Sequence, residues 1–327
     1  MKVSVVIPVY NEGASVLGAY DATVAMFAAK MPQHSYELIF VDDGSRDDSY
    51  MHLAKLAAQD NQVTLIKLAH NCGSHTAVRA GFEYATGDIG CYLPCDMQEP
   101  PDLIPRLLEA LVDPVKIVWA VRAGRPDSLQ DRLASRVFFA LAHRIVSENV
   151  APMGAGMFLL AREAMDALRL YHERNLTLDG LLYTMGYAQA HVSYQRQARA
   201  HGRSKWNLAK RLKLFADFFV GYSYAPIRMM SYLGIVTAAI GFLYGLFILV
   251  FRFFLKQSVA GWTSLMLVLL LIGGLQMMMM GVMGEYIWRA LDEARGRPLF
   301  IVEKLHRNRI ATTVNAAPTK HAAITSE

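Results

Sequence analysis

Two stretches limit this chain more than any other feature. Residues 229–251, MMSYLGIVTAAIGFLYGLFILVF, hold no charge, and neither do residues 263–284, TSLMLVLLLIGGLQMMMMGVMG. Each exceeds the roughly 20 residues that carry an α-helix across the hydrocarbon core of a bilayer. Two buried helices of a soluble core are the alternative, but such helices are usually shorter and keep a polar face. The spans expected are residues 229–255 and 262–288. Basic residues set their orientation. Seven Lys/Arg and one acid, Asp217, occupy 199–228, and Arg289, Arg295, Arg297, Lys304, Arg307 and Arg309 follow the second stretch. Between the stretches stand only Arg252 and Lys256. The positive-inside rule then places both ends in the cytoplasm, with a short loop outside. The expectation is a multi-pass protein of the cell inner (plasma) membrane whose residues 289–327 form a cytoplasmic tail. Beyond about residue 311 that tail is small and polar, the composition of a segment without a packed structure.

The part before the membrane reads differently. VSVVIPV, ELIFVDDG, VTLIKLA, DIGCYLPCD and VKIVWAVR are apolar runs that end in turn or acidic residues, and helix-like stretches such as 14–30, 47–59 and 74–86 separate them. Alternating β and α units predict a mainly parallel sheet covered on both faces. Ligands of such sheets bind beyond the carboxyl ends of the strands. The first candidates are therefore Tyr10, Asn11 and Glu12; Asp42 and Asp43; Asp96 and Gln98; and Arg122 and Arg125. A dinucleotide fold would place GxGxxG after the first strand, but the chain reads PVYNEGAS there, and it has no phosphate-binding P-loop. The formal net charge of +5 suits an anionic partner, and nucleic acid is not the expected one. Cys72, Cys91 and Cys95 have no metal-ligand spacing and, without an export signal, read as reduced cytosolic thiols.

Between sheet and membrane, Leu208, Leu212, Phe215, Phe219 and Tyr222 recur at helical steps, with Lys210, Lys213 and Asp217 on other faces. Residues 206–228 therefore read as an amphipathic helix at the membrane surface, or packed on the preceding domain. Gly273, Gly274 and Gln276 would let the second span form a close contact with another copy, so a homo-oligomer is expected.

Seven motifs run in order: SVVIPVYNEG, VDDGSRDDS, NCGSHTAVRAGFEYATGD, CDMQEPPD, VRAGRPD, RAHGRSKW and GEYIWRALDEARGRPLFIV. Together they resemble family 2 glycosyltransferases of the GT-A fold. More narrowly, they resemble the branch that includes dolichol-phosphate mannose synthase and the bactoprenol glucosyltransferases. The resemblance covers roughly residues 3–303. It implies a GT-A catalytic domain over 1–205 that moves a sugar from a nucleotide-sugar to a polyprenyl phosphate, for cell envelope polysaccharide. The alternatives are a family 2 transferase with another acceptor, or a non-catalytic membrane scaffold of the same fold. Processive family 2 synthases carry a QxxRW-type motif, which QRQARAHGRSKW does not match.

A diphosphate that leaves in a transfer step gathers negative charge, which a divalent cation stabilises. Mg2+ and Mn2+ take oxygen ligands, often only one or two from protein. Asp96 and Gln98 offer a carboxylate and an amide oxygen, and on an extended segment residues two apart share a side. The resemblance makes them the metal ligands; the plain alternative is a turn acid and a surface amide. Arg122 ends a strand beside them and suits a phosphate, as do Arg199, Arg203 and Lys205. By resemblance the last three belong to a loop over the donor diphosphate, with Arg203 better placed as a lipid anchor. Asp96, Arg122, Arg199 and Lys205 are thus the catalytic candidates. By resemblance, Pro8, Tyr10, Glu12, Asp42 and Asp43 hold the nucleotide, although Asp43 has the alternative of capping a helix near Ser45. His75 and Arg79, four apart on one helix, read as structural. Two departures stand out. Pro94 replaces a first carboxylate, and GMFL at 156–159 replaces Gly-Asp-Phe-Arg, putting Met157 and Leu159 where relatives carry an acid and an arginine.

Overall fold

The computed structural model describes residues 1–123, 140, 143, 155–174, 176–195, 221, 225–255 and 261–307. Arg125, Arg136, Arg199, Arg203, Lys205, most of the segment 206–228 and the tail from 308 lie outside the described residues.

Eight strands form one sheet. In chain order the elements are β1 (Lys2–Val9), α1 (Ser15–Lys30), β2 (Ser35–Asp42), α2 (Ser49–Gln59), β3 (Val63–Leu68), α3 (Ser74–Tyr84), β4 (Ile89–Tyr92) and α4 (Leu103–Glu109). There follow β5 (Val115–Arg122), β6 (Ala155–Ala161), α5 (Arg162–Leu170), α6 (Leu178–Thr184), β7 (Ala188–Tyr194), α7 (Ala225–Leu255), α8 (Trp262–Ala294) and β8 (Val302–Arg307). The strand order is β7-β5-β6-β4-β1-β2-β3-β8. β1 pairs in parallel with β2 and β4, β2 with β3, and β5 with β7. β6 runs antiparallel between β4 and β5, and β8 antiparallel beside β3.

The sheet is buried on both faces, which is why its strands read as unbroken apolar runs. Along β1, Val3, Val5 and Ile7 enter one core while Val6 enters the other. In β2, Leu38 and Phe40 enter the first, and Ile39 and Val41 the second. This is the two-residue alternation of a strand. Met157 and Leu159 of β6 belong to the first core, whereas Phe158 and Leu160 belong to the second. Cys91 and Cys95 are buried, and burial pushes the Cys95 thiol up to about 12, so neither is poised to react.

Two features of the sheet escape a reading by apolar runs. β6 reverses direction, which turns an expected mainly parallel sheet into a mixed one. The segment expected as the start of a cytoplasmic tail instead returns to the sheet as β8. Ala69 N donates to Ile301 O at 2.9 Å, Lys67 Nζ lies 2.8 Å from Glu303 Oε2, and Tyr50 Oη lies 2.8 Å from His306 Nε2. The sequence VEKLHR is charged and its side chains are largely exposed, so it looks like a tail even though its backbone closes the β3 edge. A chain ending at Arg297 bares that edge and is expected to aggregate at concentrations where the full chain does not, as size-exclusion chromatography in detergent would show.

α7 and α8 stand away from the sheet. They have 31 and 33 residues, and α8 is therefore about 50 Å long. Their apolar side chains face outward: Phe242 is 72% exposed and Met277 70%. Among the described residues, one stretch, Ile227–Ile248, is long and apolar enough to cross a membrane. The far end of α8 is tied to the sheet domain by Arg174, which donates to Arg297 O at 3.3 Å and lies 3.7 Å from Asp292.

Candidate active site

The carboxyl ends of β1, β2, β4 and β5 converge on one edge of the sheet, as their parallel or shared registers require. The loop after β1 is sewn to the loop after β2. Asn11 N donates to Ser45 Oγ at 3.0 Å, Arg46 N donates to Asn11 Oδ1 at 2.9 Å, and Gly13 N donates to Asp47 Oδ2 at 2.9 Å. Glu12 N donates to Ser49 Oγ at 3.0 Å. Asn11 turns the chain at φ 53°, a conformation that asparagine tolerates better than most residues. Pro8, half-buried, and Tyr10, exposed, border this seam with Glu12.

Asp42 and Asp43 are both buried but serve differently. Asp43 Oδ1 accepts from Cys72 N at 2.7 Å and Oδ2 from Gly73 N at 2.9 Å. It therefore caps the approach to α3, not a helix near Ser45. Asp42 Oδ1 accepts from Ser45 N at 3.0 Å, whereas Oδ2 is buried and has no partner among the described residues. Burial pushes both carboxyls above their ordinary pKa, against the pull of the amides they accept from. An orphaned buried acceptor is uncommon, and here it suits an N–H or O–H of a bound molecule.

After β4 the chain does not stay extended. Met97 has φ 57°, and Gln98 N donates to Asp96 Oδ1 at 3.2 Å. Residues 96–98 thus form a tight turn, so strand alternation does not decide where the two side chains point. Asp96 is half-buried and Gln98 buried. The next residue, Glu99, is the carboxylate the sequence reading passed over. Its side chain is 2% exposed and lies 3.6 Å from Arg122 Nη2. Tyr194 Oη donates to Glu99 Oε1 at 2.5 Å. Burial, and then the bond to Glu99, push the Tyr194 hydroxyl up to about 12, so it stays a donor. Gly156 makes this contact fit, because a Cβ there would lie 2.4 Å from Glu99 Oε1 and 2.7 Å from Tyr194 Oη. The clue in the sequence was the glutamate inside QEPP, one place beyond the expected ligand.

These groups face a cavity of about 190 Å³ walled by Asp96, Glu99, Arg122 and Gly156, and also by Pro94, Tyr92, Phe158, His75 and Asp179. Arg122 Nε is buried and has no partner among the described residues. Met157, on the opposite face of β6 from Phe158, is in the core. Arg79 Nη1 donates to Glu173 O at 2.7 Å and Nη2 to Tyr171 O, which fits its structural reading. His75, by contrast, is part of the cavity wall.

Fold and cleft define an α/β enzyme whose site opens at the carboxyl ends of its strands. The sequence profile described as Glycosyl transferase family 2 matches residues 4–169. An uncharacterized glycosyltransferase, YkcC, of Bacillus subtilis (strain 168) is 34% identical over 306 residues, 93% of this chain and 94% of its own. The undecaprenyl-phosphate 4-deoxy-4-formamido-L-arabinose transferase of Sodalis glossinidius (strain morsitans) is 35% identical over 305 residues, 92% of this chain and 93% of its own. The SfII prophage-derived bactoprenol glucosyl transferase of Shigella flexneri is 33% identical over 308 residues, 94% of this chain and 99% of its own. The chain belongs to glycosyl transferase family 2 and is a glycosyltransferase.

Proposed function

We propose that this protein moves a sugar, with inversion, from a nucleotide-sugar to a polyprenyl phosphate such as undecaprenyl phosphate, at the cytoplasmic face of the inner membrane. One observation carries the reading: the likeness to two transferases named for undecaprenyl phosphate or bactoprenol runs over nearly the whole chain, helices included. A UDP-sugar is the favoured donor. The orphaned Oδ2 of Asp42 supports a nucleoside contact at the Pro8, Tyr10 and Glu12 seam. Arg199 and Lys205, outside the described residues, are proposed to meet the diphosphate.

The electrostatics of the cavity support a metal. Asp96, Glu99 and Asp179 line it against one guanidinium, Arg122, which Glu99 already faces. Such a wall repels a diphosphate unless a cation intervenes. Among the described residues no group of three or more His, Cys, Asp or Glu could hold a metal ion. A site of few protein ligands completed by phosphate oxygens is the habit of Mg2+ or Mn2+, and Asp96 with Gln98 would hold one. When bound, the ion neutralises charge on the leaving diphosphate. Arg122 Nε adds a donor that ionised oxygens can use. The acceptor needs no general base, because a phosphate monoester with a second pKa of about 6 is largely ionised at pH 7. A buried Met157 in place of an acid therefore leaves direct displacement intact.

Topology supports the membrane reading. β7 and β8 lie in one sheet, so the chain between them crosses a bilayer an even number of times. If Ile227–Ile248 crosses once, α8 brings the chain back, and catalytic sheet, N-terminal strand and β8 share one side. Purified protein with Mg2+ or Mn2+, undecaprenyl phosphate and a panel of labelled UDP- and GDP-sugars tests the proposal. Lipid-linked label with one of the donors is expected; none with any donor refutes it.

Asp42→Asn separates binding from stability. A carboxyl raised on folding favours the folded state below its unfolded pKa, near 3.8, and that contribution is lost as pH rises through the folded value. At pH 7 the buried charge is therefore a cost. The variant is expected to melt no lower than the parent at pH 7, with the difference shrinking toward pH 4. Its affinity for the nucleoside diphosphate should fall about tenfold, since one acceptor becomes a donor. Thermal melts at the two pH values and calorimetric titration check both parts.

A further inference from the structure

The cavity wall contains a pair the transfer chemistry does not use. Asp179 comes from the first turn of α6 and His75 from the first turn of α3. Both line the cavity that Asp96 and Arg122 also line. Thr177 already caps α6, accepting from Gly180 N at 3.3 Å. An acid in a first helical turn serves the helix dipole equally well from the surface. Asp179 is instead half-buried on the cavity wall, where burial pushes its carboxyl up and His75 partly relieves it. A carboxylate partly removed from water on a cleft wall is costly unless something there hydrogen-bonds it.

The cavity suggests the user. At about 190 Å³ it is smaller than the roughly 300–1,000 Å³ of pockets that hold drug-sized ligands, so it takes one sugar ring and not a whole nucleotide-sugar. Tyr92 and Phe158 line it with ring centroids 5.2 Å apart, and they offer apolar surface for the C–H face of a pyranose. Burial, and then the carboxylates of Asp179, Glu99 and Asp96, push the Tyr92 hydroxyl up, with Arg122 opposing them. The wall accepts hydrogens and repels anions.

Resting on the donor proposed above, the geometry points to Asp179 as the residue that selects the sugar, accepting its hydroxyl or ammonium hydrogens and refusing a carboxylated sugar, with His75 beside it on the cavity wall. A like charge facing the sugar is a repulsive element, and such elements set specificity as much as attractive ones.

Full-length protein in detergent with Mn2+ is titrated with UDP, GDP, UDP-glucose and UDP-glucuronate, as wild type, Asp179→Asn and His75→Gln. Wild type is expected to prefer UDP-glucose to UDP-glucuronate by about tenfold or more. Asp179→Asn, close in shape, should keep the UDP affinity within about twofold and narrow that preference to about threefold or less. His75→Gln should narrow it less. An unchanged preference in Asp179→Asn, equal affinity of wild type for the two sugars, or loss of UDP binding in the variant overturns the assignment. Wild type that binds neither UDP nor GDP refutes the donor reading itself, and the assignment with it.

Discussion

Asp96→Ala is expected to lower kcat/KM for sugar transfer by about a thousandfold, because a carboxylate that fixes a charge-neutralising cation contributes several kcal/mol to the transition state and each 1.36 kcal/mol is tenfold. Metal-dependent binding of nucleoside diphosphate should be lost with it. The fold should survive. Asp96 is half-buried, and it accepts from Gln98 N at 3.2 Å within its own turn, a local bond worth about 1 kcal/mol. Pro94 lines the same cavity, at the place where the family resemblance implies a carboxylate. Pro94→Asp is therefore expected to keep or raise activity, by adding an oxygen near the cation. Transfer rates across a Mn2+ titration of the three proteins decide the matter: full activity in Asp96→Ala removes Asp96 from the metal.

Arg122→Ala should act on two quantities at once. Transfer should fall about a hundredfold, since Nε and the fork are lost where the leaving diphosphate gathers charge. Stability should fall by about 3 kcal/mol, because Glu99, 2% exposed, loses the guanidinium it faces while Tyr194 still donates to it. The double variant Arg122→Ala/Glu99→Gln tells the two apart. Neutralising Glu99 removes the stranded charge while Tyr194 Oη can still donate to the amide oxygen. Stability should largely return and activity should not. Denaturant melts and kcat/KM on all four members of the cycle measure the coupling. If the double variant regains activity with stability, Arg122 is only a counter-ion to Glu99.

Much of the site's neighbourhood was legible because it follows local rules. Apolar runs ending in acids name strands whose carboxyl ends carry chemistry, and Asp42, Asp96 and Arg122 stand there. What was misread follows from contacts between distant segments. The turn at 96–98 depends on Met97 at φ 57°, which no residue pattern announces. Asp43 was expected to hold the nucleotide, with a helix cap near Ser45 as the alternative, but its oxygens hold the amides of Cys72 and Gly73, about thirty residues on. Glu99 looks like a turn acid until Tyr194, from the far edge strand, meets it across Gly156. His75 reads as one side of a helix until Asp179 joins it on the cavity wall.

By itself, then, the sequence determined the alternating α/β domain, the two long apolar helices and the family, because periodicity, charge and motif order are properties of neighbouring residues. Only the tertiary structure decided that β6 runs backwards, that VEKLHR is a sheet edge and not a tail, and that Met157 faces the core while Glu99 and Asp179 face the cleft. Those outcomes depend on which strands pair and in which direction, and one reversed strand or one added edge is settled by burial and backbone hydrogen bonding summed over the whole sheet.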